Sequence, residues 1–259
     1  MNAQTANLNV KIESTFNFPA PFQTIRSHYG ASHCDSTWAS LERGRAILST
    51  TQQAEQFLYS FGNMHEAKMQ YACSVLHDDI DKLLKSGSLA SIDLIDYGCG
   101  QGLASIVALD FLNSIDLSQN LIGNITLIEP SSICLNRAQD FIGNNDRVTA
   151  HKKMLDEITS SDLSTNESAV KFHLFSNILD MGNDAFDIGQ LASNIKSSQK
   201  GFNYFLCVSP AINNEIDERL ALFVDHFKDF NFELFSHEND FLFPDRNWTI
   251  NIWVFKVEL

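Results

Sequence analysis

Three glycines spaced two apart, Gly98, Gly100 and Gly102, follow the acidic residue Asp96 in LIDYGCGQG, and an unbroken helical pattern begins directly after them. A glycine turn between a strand and its helix puts free backbone N–H groups at the carboxyl edge of a sheet, where ligands of open α/β folds sit. Three chemistries compete for that turn. A triphosphate loop needs Gly-Lys-Ser/Thr at its end, whereas Gly102 is followed by Leu103 and Ala104. A dinucleotide fingerprint needs G-x-G-x-x-G. Gly98 and Gly100 fit it, but position 103 is leucine, so an NAD-linked oxidoreductase is an alternative with an incomplete motif. The third reading takes the turn as a bend against a ligand that has no pyrophosphate to seat.

Glu129 weighs on this choice more than the glycines do. It ends the apolar run NITLIE, where a carboxylate can take both hydroxyls of a ribose. The competing reading is that it only favours the N-terminus of the helix after Pro130. The glycine turn and the acid stand in the right order for a nucleoside. Asp96 has its own rationale: it can receive an amino group or fix the turn by accepting N–H bonds, and the two roles can coexist.

These residues need elements to position them. HEAKMQYACSVLHDDIDKLLKSG has 3-4 apolar spacing and a closing Gly87, which predicts an amphipathic helix. Ser49 with Gln52 suits a capping box for the helix before it. From Ile92, ASIDLIDYG, NITLIE, RVTAHKKM, AVKFHLFSN and GFNYFLCVS read as five strands alternating with helices, apolar on both faces as central parallel strands must be. FNFELFSHE and WTINIWVFKVEL have no crossover between them, so they form an antiparallel pair, the last strand beside the fifth.

The bulk numbers narrow the function. The 259 residues carry 18 basic against 32 acidic side chains, net -14, with nearly all the excess beyond residue 90. That lowers the case for nucleic acid, leaving Lys11, Arg26, Arg43 and Arg45 as the few candidates for a basic mouth. Five scattered cysteines suggest neither disulfides nor zinc. His28, His33 and Cys34 lack further ligands at metal spacing, so no metal is expected. No apolar run is long enough for a membrane span, and a cytoplasmic location is expected.

LIDYGCGQG, then TLIEPS, then a strand ending FSNILD and a terminal antiparallel hairpin resemble the class I (Rossmann-like) S-adenosylmethionine-dependent methyltransferases over residues 91–259. The resemblance implies an α/β three-layer sandwich with a mostly parallel seven-stranded sheet, a C-terminal antiparallel hairpin and a helical N-terminal segment, residues 1–90, serving as lid. It implies S-adenosyl-L-methionine as cofactor. Asp96, Gly98, Gly100 and Gly102 would lie along its methionine part and Glu129 on its ribose. Met154 or Leu155, near Asp156, would pack on its adenine.

Methyl transfer from a sulfonium asks the protein mainly for orientation. The acceptor is expected beyond the fourth strand, at Ser176, Asn177 and Asp180, with Asn177 placed best. Ile178 and Leu179 replace the prolines of the Asn/Asp-Pro-Pro-aromatic signature of amino-group methylating enzymes, which argues against that mechanism. Ser209 and Asn213 follow the fifth strand, either as binding residues or as a plain loop before a helix capped by Asn214. FQTIRSHYG is expected to fold over the site and bring Arg26, His28 or Tyr29 to the acceptor, with Tyr59 and His65 closing the same side. Deleting residues 1–35 would then weaken cofactor binding or turnover. The expected function is methyl transfer to a small-molecule or protein acceptor. The alternative is an inactive relative serving as a binding or assembly partner.

Overall fold

Seven strands form one sheet in the order β3-β2-β1-β4-β5-β7-β6. They are β1 (Ile92–Tyr97), β2 (Ile122–Ile128), β3 (Val148–His151), β4 (Val170–Ser176), β5 (Phe202–Pro210), β6 (Asn231–Leu242) and β7 (Thr249–Glu258). The computed structural model describes residues 16–30, 32–143, 145–182, 185–212, 214–243 and 248–259. Lys11 and Asn213 lie outside them. The first five strands are parallel to one another, and β7 runs antiparallel between β5 and β6. The sheet therefore reverses its order at β1/β4, and ligands of such sheets bind in the crevice at that point.

Alternation along β1 divides the core. Ile92 and Leu94 join the apolar cluster on one face, Ile95 and Tyr97 the cluster on the other. The first face is covered by α3 (Thr51–Val75), α4 (His77–Ser86), α5 (Leu103–Ser114) and α6 (Ser132–Ile142), the second by α7 (Ile188–Ser198) and α8 (Asn214–Asp225). The result is an α/β three-layer sandwich.

The helical entry differs in detail from the sequence reading. α3 begins fourteen residues before His65, and its capping box is Thr50 with Gln53, not Ser49 with Gln52. The long pattern also breaks at Leu76, which starts a second helix, α4, ended by the left-handed Gly87. Apolar spacing recorded the buried face of both helices but not the change of axis between them. Before α3 come α1 (Phe22–Tyr29), α2 (Asp35–Ala39) and a 3-10 turn at Glu42–Gly44. α1 docks by Phe22 and Ile25 into the same cluster as α3 and α5, and its first amide donates to Asp110.

Candidate active site

The three glycines do three different things. All have positive φ, at 64, 52 and 77° for Gly98, Gly100 and Gly102. A Cβ on Gly98 would stand 2.7 Å from Ile178 Cδ1, so this glycine lets the turn pass against the loop after β4. A Cβ on Gly102 would meet Ala138 at 3.0 Å, so this one lets α5 close on α6. A Cβ on Gly100 would meet nothing within 4 Å. That glycine faces open space, and the space is a cavity of about 750 Å³.

The carboxylates organise the turn. Glu129 accepts the Gly100 amide at 3.0 Å with one oxygen and the Ser131 amide at 2.9 Å with the other. It thus holds the helix entry and the glycine turn together, and each oxygen keeps a further lone pair toward the cavity. Asp96 accepts the Ser105 amide and hydroxyl on one oxygen, at 3.1 and 2.7 Å. Its other oxygen is buried with no partner among the described residues. Burial pushes the Asp96 carboxyl up to about 7, against the Ser105 bonds and helped by the charge of Glu129, and burial raises Glu129 as well.

Asp96, Gly98, Gly100, Glu129, Met154, Leu155 and Asn177 all line this one cavity, whereas Gly102 supports it from behind. Tyr29 and His28 lie elsewhere. The Tyr29 ring packs on Phe141 of α6 at 4.9 Å, under the Arg137 guanidinium, with His28 edge-on against it. The segment that does border the cavity is the next one, from Trp38 to Leu48, followed by Phe57, Phe61, Met64 and His65 of α3. It is pinned to the glycine turn by side chains: Gln101 donates to the Ala54 carbonyl at 2.9 Å, and Ser131 to the Leu48 carbonyl at 2.5 Å.

A second polar group lines the cavity. Ser176, Asn177 and Asp180 come from the end of β4 and its loop, and His65 from α3. Asn177 sits at φ 57°, in the left-handed region that asparagine tolerates better than most residues. Its amide nitrogen lies 3.2 Å from both ring nitrogens of His65, and its oxygen accepts from the ammonium of Lys68. Ser209 donates to Asp180 at 3.3 Å. Lys68 is fully buried. Burial pushes its ammonium down to about 7, against the pull of Asp180, and burial with Lys68 nearby pushes His65 down to about 3.

Lys68 escaped the sequence reading because it stands in a helix whose apolar face was taken to be entirely core. The available signal was a lysine three residues after His65, hence on the same face. No described helix is long and apolar enough to cross a membrane.

No family model matches the sequence, and no curated protein matches it. Solved structures do resemble it. The N-methyltransferase NodS from Bradyrhizobium japonicum WM9, in complex with S-adenosyl-L-homocysteine, is 10% identical, with a TM-score of 0.48 over 84% of this chain and 97% of that one. The plantazolicin methyltransferase BpumL, in complex with SAH, is 9% identical, with a TM-score of 0.49 over 92% of this chain and 97% of that one. The small RNA methyltransferase HEN1 is 15% identical, with a TM-score of 0.46 over 75% of this chain and 25% of that one. The likeness is one of fold: the seven-stranded order, with β7 antiparallel between β5 and β6, agrees with the sheet expected from the sequence.

Proposed function

We propose that this protein transfers a methyl group from S-adenosyl-L-methionine to a small-molecule acceptor. The observation that carries the reading is the unpartnered, buried oxygen of Asp96 at the foot of a glycine turn whose neighbouring carboxylate, Glu129, keeps free lone pairs. A buried carboxylate oxygen without a donor is costly, and an ammonium group supplies the missing one. The residues fit that cofactor: Asp96 for its amino group, the Gly98–Gly100 backbone along its methionine chain, Glu129 for the ribose hydroxyls, and Met154 or Leu155 against the adenine. When bound, the cofactor supplies an electrophilic methyl on a positively charged sulfur.

The chain's own task is then to seat and orient the acceptor. At about 750 Å³ the cavity lies in the upper part of the range for small-molecule sites, roughly 300–1,000 Å³. It is walled by Trp38, Phe57, Phe61 and Met64. Those walls and the net charge of -14 favour a compact, partly apolar acceptor over nucleic acid.

Calorimetric titration with S-adenosylmethionine, S-adenosylhomocysteine and NAD tests the reading. Micromolar binding of the first two, lost in Glu129→Ala, is the expected result. Tighter binding of NAD would replace this reading with the oxidoreductase one. Failure of the folded protein to bind any of the three would favour a scaffold that has lost the cofactor.

A further inference from the structure

Four polar side chains from two elements meet beside the cavity: His65 and Lys68 of α3, and Asn177 and Asp180 of the loop after β4. Ser209 of β5 supports Asp180 from behind. Burying an ammonium is expensive, and here its hydrogen-bond partner is a neutral amide.

What that bond does follows from donor and acceptor counting. An ammonium only donates, so the amide oxygen of Asn177 must face Lys68. The amide nitrogen must then face His65, and it can only donate. Equally distant from both ring nitrogens, that nitrogen lies over the face of the ring and points its N–H at the π electrons, a contact that a neutral imidazole accepts and a doubly protonated one opposes. The ring is otherwise enclosed by Phe57 and Phe61, at centroid distances of 5.4 and 6.4 Å, neither of which can stabilise a second proton by hydrogen bonding. The charged groups around the cluster are Lys68 on the same helix and Asp180 from the β4 loop, with Arg45 from the turn before α3 acting on Asp180.

We propose that Lys68 is a positioning residue of an acceptor subsite formed by His65 and Asp180. It holds His65 neutral through the Asn177 amide, and the subsite takes an uncharged N–H or O–H group on a flat apolar body. The subsite as an acceptor site rests on the methyltransferase reading above. The lysine–amide–imidazole chain does not. Asp180 can accept the hydrogen of such a group and opposes an acidic one. The ring walls of Trp38, Phe57 and Phe61 receive the body.

The experiment is a pH titration of the histidine ring signals by NMR, on the full chain saturated with S-adenosylhomocysteine and again without it. In the wild type, His65 stays neutral from pH 8 to 5. In Lys68→Met the amide is free to turn its oxygen to the ring, and the His65 transition moves up by at least about one pH unit. Lys68→Arg, still a pure donor, restores the wild-type titration. An unchanged titration in Lys68→Met overturns the positioning role. Should that variant fail to fold, Asn177→Asp offers His65 a carboxylate and is expected to raise its transition. No rise there overturns the proposal equally.

In the saturated wild type, benzyl alcohol at millimolar concentration is expected to move the His65 signals while benzoate does not. Movement with benzoate, or with neither, overturns the acceptor class. If S-adenosylhomocysteine itself fails to bind, the methyltransferase reading falls, and the titration without ligand still decides the role of Lys68.

Discussion

The two polar groups of the cavity are built in opposite ways. The group at the glycine turn draws Asp96, Gly98, Gly100 and Glu129 from two adjacent strand ends, β1 and β2, and its bonds are mostly between side chains and backbone amides. The other group joins Lys68 to Asn177, which are 109 positions apart, through bonds between side chains. The first group is fixed wherever the sheet forms. The second exists only when α3 lies in register across the sheet. A site for a constant ligand can be written into the sheet edge, whereas a site for a particular acceptor is assembled from elements that vary independently.

The sharpest test of this contrast is Glu129→Ala. It removes the groups offered to the ribose and also frees the Gly100 and Ser131 amides. With hydrogen bonds to a charged group worth about 1.5–3 kcal/mol each, S-adenosylhomocysteine should bind at least about a hundredfold more weakly by calorimetry. A change under about threefold would mean that Glu129 serves only to join the turn to the helix.

Asp96→Asn sharpens the same point through pH. The folded-state pKa of about 7 stands above the ordinary 3.8. Between those values the folded chain holds a proton that the unfolded chain has released, so this group costs stability as pH rises through the window, and the full cost persists above it. Replacing it with the amide should therefore raise Tm at pH 8 by several degrees, at roughly 2–4 °C per kcal/mol, and leave Tm unchanged near pH 3.5. Binding of S-adenosylmethionine should fall about tenfold or more. A residue that mattered only for folding would not show stability and binding moving in opposite directions. The half-buried ring of His65 and the buried ring of His173, both pushed down to about 3 by desolvation, act on the other side: they cost stability as pH falls below about 6.5.

How much of this was legible in the sequence follows the same division. The succession of strands along the chain, the antiparallel tail and the turn between β1 and α5 could be read because apolar runs and glycines are local signals. The N-terminal segment that borders the cavity could not be read as well. FQTIRSHYG and the Trp38–Leu48 segment are similarly polar and aromatic, and nothing local says which will reach the cavity. Their placement is decided by docking, where Phe22 and Ile25 insert beside α3 and draw α1 to the back of the glycine-turn helices. Lys68 was illegible for the same reason: its burial depends on meeting Asn177, and periodicity cannot report a partner so distant in the chain.

Alanine at the glycines divides support from ligand contact within one turn. Gly98→Ala must displace Ile178 and holds φ at 64°, so a cost of about 1–3 kcal/mol is expected, seen as a lowered Tm. Gly100→Ala meets no protein atom and should cost only about 1–2 kcal/mol for its left-handed backbone. Its methyl enters the cavity, however, so it should weaken S-adenosylhomocysteine binding more than its loss of Tm accounts for. Equal losses of binding and stability at both positions would erase the distinction.

The smallest effect is expected in α1, the segment that the sequence reading expected to fold over the acceptor. Tyr29 contributes a ring contact with Phe141 and lies under Arg137, whose guanidinium also bonds Gln101 at 3.1 Å and Glu55 at 3.3 Å. Arg137 keeps those two partners when the ring is removed, so the glycine turn should keep its position. Tyr29→Ala should then lower Tm by a few degrees, for a loss of about 0.5–1.5 kcal/mol of aromatic packing, and His28→Ala by less. Both should bind S-adenosylhomocysteine within about twofold of the wild type. A tenfold loss in either would show that α1 reaches the ligand through Arg137 and Gln101, and the glycine-turn group would then depend on distant elements as much as the group around Lys68 and Asn177 does.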